Sequence, residues 1–208
     1  VIQSESFLDA NGRVDRQKLA FEYHWQLCSG LLLTSDIVDI YGTAKLNSAM
    51  EKVLNINSDI DDTTRIITSE SKGVKALVIG LGGGGLLNFL SRFQPQMHTT
   101  VIELDQYVVE IAKAHFGFCE NEKMSVCVGD GLSVCTASRA EKPSDTNATD
   151  QTMSFAPASI SAIIIDVDSK DSTCGMSCPP ASFVDVTYLQ TLSSLLTEEG
   201  ILAINVSA

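Results

Sequence analysis

Short continuous apolar runs recur along the second half of the chain, and each has the length of a strand that is buried on both faces. We predict strands at residues 76–79, 99–104, 124–128, 160–167 and 200–206. Helices are predicted among them at residues 86–90, 106–116 and 182–196. Because strands that alternate with helices form a parallel sheet with right-handed crossovers, the pattern predicts an α/β fold with a mostly parallel sheet and helices on both faces.

The first part of the chain has a less regular pattern. The spacing of its apolar residues predicts a helix over residues 15–33, although Gly30 and a partial alternation weaken that pattern. A short helix is predicted at residues 45–54, and the polar run at residues 55–62 indicates an insertion or loop.

The pattern changes close to residue 74, where the first buried strand begins. We therefore predict an N-terminal helical segment with an insertion over residues 1–73 and a Rossmann-like domain over residues 74–208. Inside that domain, residues 138–158 are rich in Ser, Thr, Asp and Pro, and they are predicted to form a solvated loop.

Length and charge narrow the range of partners. The 208 residues suit one domain with a short extra element. Fourteen Lys and Arg against 26 Asp and Glu give a net charge of −12, which argues against nucleic acid as a partner and weakly favours cationic substrates. The longest uncharged apolar stretch, residues 76–90, is too short to span a bilayer, so no membrane partner is expected.

The six cysteines are scattered along the chain, which is more typical of reduced thiols than of a disulfide framework. Cys174 and Cys178 lack a second pair of ligands, so no metal site is predicted. The chain begins at Val1 without a signal-peptide pattern. We therefore expect a cytoplasmic location, and we expect the sequence to be a piece of a longer protein.

A glycine-rich loop, Gly-Leu-Gly-Gly-Gly-Gly at residues 80–85, follows the first predicted strand and opens a helix. This context is typical of a dinucleotide-type site, since glycine lets the backbone take positive φ and lets a ligand approach closely. No Gly-Lys-Ser or Gly-Lys-Thr follows, so the loop is not a triphosphate P-loop. A tight turn that binds nothing is the alternative.

Acidic residues end the next two predicted strands. Glu103 lies 18 residues after Gly85, and the lengths of the intervening helix and strand return its carboxylate to the glycine loop, where it can accept hydrogen bonds from ribose hydroxyls. Asp130 follows the third strand and can accept a hydrogen bond from an adenine amine; alone, it would most often be a helix N-cap. Together the two acids favour adenosine over the alternative of solvated strand-end acids.

Two further carboxylates, Asp166 and Asp168, lie at the end of the fourth predicted strand and are our candidate catalytic residues. If the strand geometry persists to residue 168, both point to the same face. A carboxylate pair there suits a cationic amine or a sulfonium, and a solvated acidic loop is the alternative. His24 is predicted to be structural or exposed, with a position facing the cleft as the alternative.

These motifs resemble a known family. Val-Ile-Gly-Leu-Gly-Gly-Gly-Gly at 78–85, Val-Ile-Glu-Leu-Asp at 101–105 and Gly-Asp-Gly at 129–131 resemble the spermidine-synthase-like branch of class I S-adenosylmethionine-dependent methyltransferases. Within it, Glu-Tyr-His at 22–24, Asp-Val-Asp-Ser-Lys-Asp at 166–171 and Gly-Met-Ser-Cys-Pro-Pro at 175–180 resemble the members that methylate translation elongation factor 1-alpha. The resemblance covers residues 20–33 and 74–208.

The resemblance implies S-adenosyl-L-methionine as the cofactor and a role for each motif. The expected cofactor contacts are Gly80, Gly82 and Gly84 near the methionine part, Glu103 with Leu104 at the ribose, Asp130 with Gly131 at the adenine, and Asp166 or Asp168 at the reacting end. The implied substrate is a free protein amine, either a lysine or the N-terminal α-amine of elongation factor 1-alpha.

Two departures from the family pattern accompany the resemblance. The insertion at residues 34–73 is longer than the family segment, and the chain stops at the fifth strand, where the family fold adds two antiparallel strands. We therefore expect a domain truncated at its C-terminus. Two other functions stay open: a polyamine aminopropyltransferase on the same fold, and a non-catalytic cofactor-binding module.

Overall fold

The computed structural model describes residues 5–16, 18–31, 73–136, 153–168 and 178–206. The predicted helix at residues 45–54 and the predicted loop at residues 55–62 lie outside the described residues, as does most of the predicted loop at residues 138–158.

Helices and strands alternate along the described part of the chain. Its α-helices are α1 (Glu22–Leu31), α2 (Gly85–Phe93), α3 (Gln106–His115) and α4 (Val186–Leu195). Its strands are β1 (Lys75–Ile79), β2 (His98–Glu103), β3 (Met124–Val128), β4 (Cys135–Thr136), β5 (Ser154–Phe155), β6 (Ile160–Ile165) and β7 (Leu196–Ile204). Short 3-10 turns span Gly131–Ser133 and Ala181–Val184. None of the described helices is both long and apolar enough to cross a membrane.

Five of the strands form one sheet in the order β3-β2-β1-β6-β7, and every pairing in it is parallel. The central strand is β1, in which Val78 lies beside Val101 of β2 and Ile164 of β6. β4 and β5 form a separate two-stranded sheet. The prediction of a mostly parallel, Rossmann-like α/β sheet is therefore confirmed.

Helices cover both faces of this sheet. Because successive strand residues point to opposite sides, each strand contributes side chains to both packed faces. Ala76, Val78 and Ile164 pack with buried residues of α1, α2 and α3. Leu77 and Ile163 face the other way and pack with Tyr188, Leu192 and Leu195 of α4. All six residues of β6 are buried, as expected of a central strand covered on both sides.

The helix predicted at residues 15–33 is wrong in its first part, since α1 begins only at Glu22. The residues before it form a turn in which Leu8 bridges Val14 and the backbone N–H of Asp15 donates to the carbonyl of Phe7. The Asp9 carboxylate accepts from the backbone N–H groups of the turn. These backbone pairs within the turn hold Asp15 outside any helix.

Two boundaries near the C-terminal end also differ from prediction. The helix predicted from residue 182 starts at Val186, because the Asp185 carboxylate caps it by accepting from the Thr187 N–H at 2.8 Å. The strand predicted from residue 200 begins at Leu196, directly after α4, and its pairing with β6 shifts register between Leu196 and Ile201. In the predicted loop at 138–158, the described residues include β5.

Candidate cofactor and active site

The carboxyl ends of the parallel strands form the candidate site. The connections from β1 through β3 place α2 and α3 on one face, whereas the connection from β6 to β7 places α4 on the other face. The strand order therefore reverses between β1 and β6. Parallel sheets bind ligands in the crevice at such a reversal, and here it lies between the glycine loop and Asp166.

The glycine loop has the backbone conformation for which glycine is needed. Gly80, Gly82 and Gly84 have φ of 100°, 53° and 74°, in the left-handed range that penalises a side chain. Gly84 is the N-cap of α2 and provides no side-chain hydrogen bond to the helix. The first N–H groups of α2 therefore begin at the loop without a side-chain cap.

Packing within the protein accounts for three of the predicted cofactor glycines. A Cβ at Gly80 would clash with the backbone oxygen of Asp166, and one at Gly84 would lie 2.9 Å from the Phe118 ring. Gly131 is buried, and a Cβ there would clash with Ile79. These glycines therefore bring β1, β6 and the neighbouring turns together, whether or not a ligand is bound.

Glu103 lies beside the glycine loop, where the lengths of α2 and β2 predicted it. Its Oε2 accepts from the backbone N–H of Leu81 at 2.9 Å, and its Oε1 accepts from the N–H of Asp105 at 3.0 Å. Leu104, the next residue, is 71% exposed. The carboxylate thus joins the end of β2 to the loop that follows β1.

Asp130 is exposed and acts as the N-cap of the turn at Gly131–Ser133. Its Oδ1 accepts from the Leu132 N–H at 2.9 Å, which is the alternative role that the sequence allowed. Tyr188 donates from its hydroxyl to the Gly131 carbonyl at 2.8 Å. Burial, with the charge of Asp130 nearby, raises the pKa of Tyr188.

Asp166 is held by three other residues at the reversal point. Its Oδ1 accepts from Asn205 Nδ2 at 3.0 Å, its Oδ2 accepts from the Tyr23 hydroxyl at 3.3 Å, and His24 Nε2 lies 3.4 Å from the same Oδ2. Its backbone N–H donates to the carbonyl of Ile79. Asp166 thereby links the ends of β1 and β6 to α1 and to the residue that follows β7.

Asp168 is exposed and lies beyond the end of β6 at Ile165, so the strand geometry does not persist to it. Asp166 contacts the Tyr23 hydroxyl, and the charges of both carboxylates act on Tyr23 and Cys178. Burial raises the pKa of Cys178 to about 11, and the charges of Asp166 and Asp168 add to the effect. Burial and the same two charges raise the pKa of Tyr23. Both groups are neutral at pH 7 even at their ordinary pKa values, and these shifts make them harder to ionise.

Three residues at this site carried little signal in the sequence. His24 was predicted to be structural or exposed; it is buried and faces Asp166. The motif that contains Tyr23 and His24 was visible only through the family resemblance. Asn205 follows β7 without any motif, and its contact with Asp166 spans 39 residues. No short-range pattern encodes such a pairing.

Comparisons with known proteins show the family to which this fold belongs. The sequence model of the spermine/spermidine synthase domain family matches residues 66–206, which is more than half of the chain. The eEF1A lysine and N-terminal methyltransferase of Danio rerio is 37% identical over 139 residues, which are 67% of this chain. The homologous protein of Drosophila melanogaster is 28% identical over 208 residues, 99% of this chain.

Among solved structures, human methyltransferase-like protein 13 in complex with SAH superposes with a TM-score of 0.56 and 26% identity, over 88% of this chain and 64% of that one. The chain spans 18% of the Danio rerio protein and 25% of the Drosophila melanogaster protein. With the family model matched across β1 to β7 and the fold shared, the chain belongs to the spermine/spermidine synthase domain family.

Proposed function

We propose that this chain is the S-adenosylmethionine-binding unit of a methyltransferase that acts on a protein amine. The observation that carries the proposal is the Glu103 carboxylate, hydrogen-bonded to the Leu81 N–H of the glycine loop at the reversal point of the sheet. The relatives named as eEF1A methyltransferases and the related structure in complex with SAH support the same chemistry.

The residues at the strand ends fit this cofactor. The start of α2 lacks a side-chain cap at Gly84, so its N–H groups and dipole suit the carboxylate of a methionine moiety. Each Glu103 oxygen accepts one backbone N–H, and a carboxylate oxygen has a second acceptor position for a ribose hydroxyl. Asp130 caps its turn through Oδ1, and its Oδ2 is the candidate acceptor for an adenine amine.

S-adenosylmethionine supplies a methyl group that is activated by its sulfonium. The task of the chain is then to align an amine with that methyl and to receive the amine in its neutral form. Tyr23 and Cys178 are neutral at pH 7, and burial raises their pKa values above the ordinary ones. The described residues at this end of β6 are therefore suited to positioning an amine and stabilising its charge. They are not suited to deprotonating an amine of high pKa.

This arrangement favours an N-terminal α-amine over a lysine. At pH 7, deprotonation costs about 1 kcal/mol for an α-amine of pKa about 7.8 and about 4.6 kcal/mol for a lysine of pKa about 10.4. A site whose described residues supply no strong base is better suited to the α-amine. We propose elongation factor 1-alpha as the protein substrate, supported by the names of the relatives.

A cytoplasmic location goes with that substrate. Cys28, Cys119, Cys127 and Cys178 are free thiols in the part of the chain that the structure describes, which supports a reducing compartment.

A polyamine aminopropyltransferase is the second candidate, because the matching family model is that of the spermine/spermidine synthase domain. The acidic ends of β3 and β6 would also suit a polyamine. A cofactor-binding module without catalysis is the third.

One experiment on the full-length protein separates the three. Calorimetry measures the affinity for S-adenosylmethionine, and mass spectrometry follows methylation of elongation factor 1-alpha. A parallel reaction contains decarboxylated S-adenosylmethionine and putrescine. We expect cofactor binding and a mass increase of one or more methyl groups on the N-terminal peptide. Spermidine formation would favour the second candidate, and binding without any product would favour the third.

A further inference from the structure

The side chain of Tyr188, in the first turn of α4, contacts the turn that follows Asp130. We propose that Tyr188 is a positioning residue for adenine recognition, because its hydroxyl fixes the Gly131 carbonyl and thereby the Asp130 carboxylate one residue earlier. This inference rests on the proposed function, in which Asp130 accepts a hydrogen bond from the adenine amine. It assigns a role in cofactor selectivity to a residue outside the strand-end motifs.

The turn at Gly131–Ser133 uses half of the Asp130 carboxylate for its own structure. Oδ1 accepts from the Leu132 N–H at 2.9 Å. The backbone carbonyl of Asp130 accepts from the Ser133 N–H at 3.0 Å and from the Ser133 hydroxyl at 2.7 Å. Oδ2 is the oxygen that the turn does not use. The place of Oδ2 therefore depends on the conformation of the turn, and a hydrogen bond to a ligand amine tolerates little displacement.

Gly131 is held by packing and by its carbonyl. It is buried, and a Cβ there would clash with Ile79 and lie 3.3 Å from the Phe183 ring. Its carbonyl accepts from the Tyr188 hydroxyl at 2.8 Å and from the Val134 N–H at 3.4 Å. The tyrosine therefore donates the shorter of these two bonds, and it donates from outside the turn.

Packing alone does not account for the hydroxyl of Tyr188. The residue is 9% exposed, and its ring packs edge-on against that of Phe183, with centroids 5.6 Å apart. A phenylalanine would keep this ring contact and would bury no polar oxygen. Because a buried hydroxyl is costly unless it is hydrogen-bonded, the bond to the Gly131 carbonyl is what distinguishes a tyrosine here.

The bond supplies support where the sheet provides little. β3 is an edge strand of the five-stranded sheet, so the turn that follows it has strand support on one side. Tyr188 reaches this turn from α4, and 57 residues separate it from Gly131. The Asp185 carboxylate caps α4 through the Thr187 N–H, which sets where the helix begins and hence the position of Tyr188.

Ligand binding to the full-length protein tests this role. Calorimetry measures the dissociation constants of S-adenosylhomocysteine, the cofactor product of the proposed methyl transfer, and of its analogue that lacks the 6-amino group of the purine. The ratio of the two constants reports the selectivity for the amine. Hydrogen exchange in the ligand-free protein measures the protection of the amides at residues 132–134. The variants are Tyr188→Phe, Asp130→Ala and the double variant.

Thr191→Val is the matched control. It removes another hydroxyl of α4, whose partner is the Thr187 carbonyl of the same helix. It therefore takes one hydrogen bond from α4 without touching the turn at Gly131–Ser133. Any effect of a general loosening of α4 should appear in this variant as well.

We expect the wild type to prefer the ligand with the 6-amino group at least tenfold, and Asp130→Ala to bring this ratio close to one. Tyr188→Phe should lower the ratio at least threefold and should speed exchange at residues 132–134 before any ligand is added. The double variant should match Asp130→Ala within twofold, because both substitutions act through the same carboxylate. Thr191→Val should keep the ratio and the exchange rates within twofold of the wild type.

A Tyr188→Phe variant that keeps the full ratio would overturn the inference and leave the tyrosine with a packing role. A wild type that binds S-adenosylhomocysteine without preference for the 6-amino group would remove Asp130 from adenine recognition. That result would overturn this inference while the proposed methyltransferase stands. A wild type that binds neither ligand would overturn the proposed function itself, and this inference with it.

Discussion

At the scale of single residues, the site depends on carboxylates that already have partners within the protein. Glu103 accepts hydrogen bonds from the backbone N–H of Leu81 in the glycine loop and from that of Asp105, the residue before α3. Asp130 caps a turn, and Asp166 is held by α1 and Asn205. Each of these side chains therefore has a structural role that is measurable separately from any ligand.

Replacing Glu103 with Ala should weaken S-adenosylmethionine binding by about 1.5–3 kcal/mol, the range for a lost hydrogen bond to a charged group. The loss has two sources, because the carboxylate also accepts from Leu81 N–H and orders the loop. Calorimetry measures the dissociation constant. Glu122→Ala, an exposed acid at the opposite end of the sheet, is the control. Equal affinities in the two variants would contradict the ribose assignment.

Two glycines with the same φ allow the cost of backbone strain to be measured separately from the cost of a packing clash. Gly12 and Gly84 both have φ of 74°; a Cβ at Gly12 meets nothing within 4 Å, whereas one at Gly84 lies 2.9 Å from Phe118. Gly12→Ala should cost the strain alone, about 1 kcal/mol. Gly84→Ala should cost distinctly more, because Phe118 is fully buried and cannot move freely. Urea denaturation of both variants measures the difference, and equal costs would refute the packing argument.

At the scale of helices and strands, caps decide where the elements of the site begin. Asp105 and Asp185 cap α3 and α4 by accepting from the second helical N–H at 2.8 Å. Both helices start at the carboxyl ends of strands or close to them. A helix that started one turn earlier would alter the loops that border the crevice.

Asp185→Ala should destabilise the protein by about 1 kcal/mol, because it leaves the Thr187 N–H without its acceptor. Asp185→Asn should retain most of the stability, since the amide oxygen can accept the same bond. The free energy of unfolding in urea provides the measurement. If Ala and Asn cost the same, the cap contributes charge rather than a hydrogen bond.

At the scale of the whole molecule, burial raises the pKa values of two cysteine thiols and two tyrosine hydroxyls. Burial raises the pKa of Cys28 to about 12, and that of Cys178 is raised to about 11, from an ordinary value of 9.0. Tyr23 and Tyr188 shift in the same direction. In the unfolded chain these groups ionise at their ordinary values.

This difference predicts alkaline instability. A raised pKa in the folded state gives stability that is complete below pH 9 and is lost as the pH rises towards 11–12, because only the unfolded chain ionises in that window. Unfolding free energies at pH 7, 9 and 10.5 should therefore fall in that order. Cys28→Ala should fall less steeply, whereas Cys119→Ser, which removes an exposed thiol, should follow the wild type. Parallel curves for all three proteins would show that the buried Cys28 thiol is not a source of the alkaline instability.

The amino-acid sequence alone determined where the strands and helices of the sheet lie along the chain. It also determined the position of the glycine loop and the placement of Glu103 beside that loop. These features depend on local periodicity and on the lengths of neighbouring elements, which short segments encode. Only the tertiary structure decided what the side chains at the strand ends contact. Asp166 meets Tyr23 across 143 residues and Asn205 across 39. Gly80 is required because the backbone of Asp166, just after β6, lies directly beside it. Such contacts arise when distant segments pack together, and no spacing within one segment specifies them.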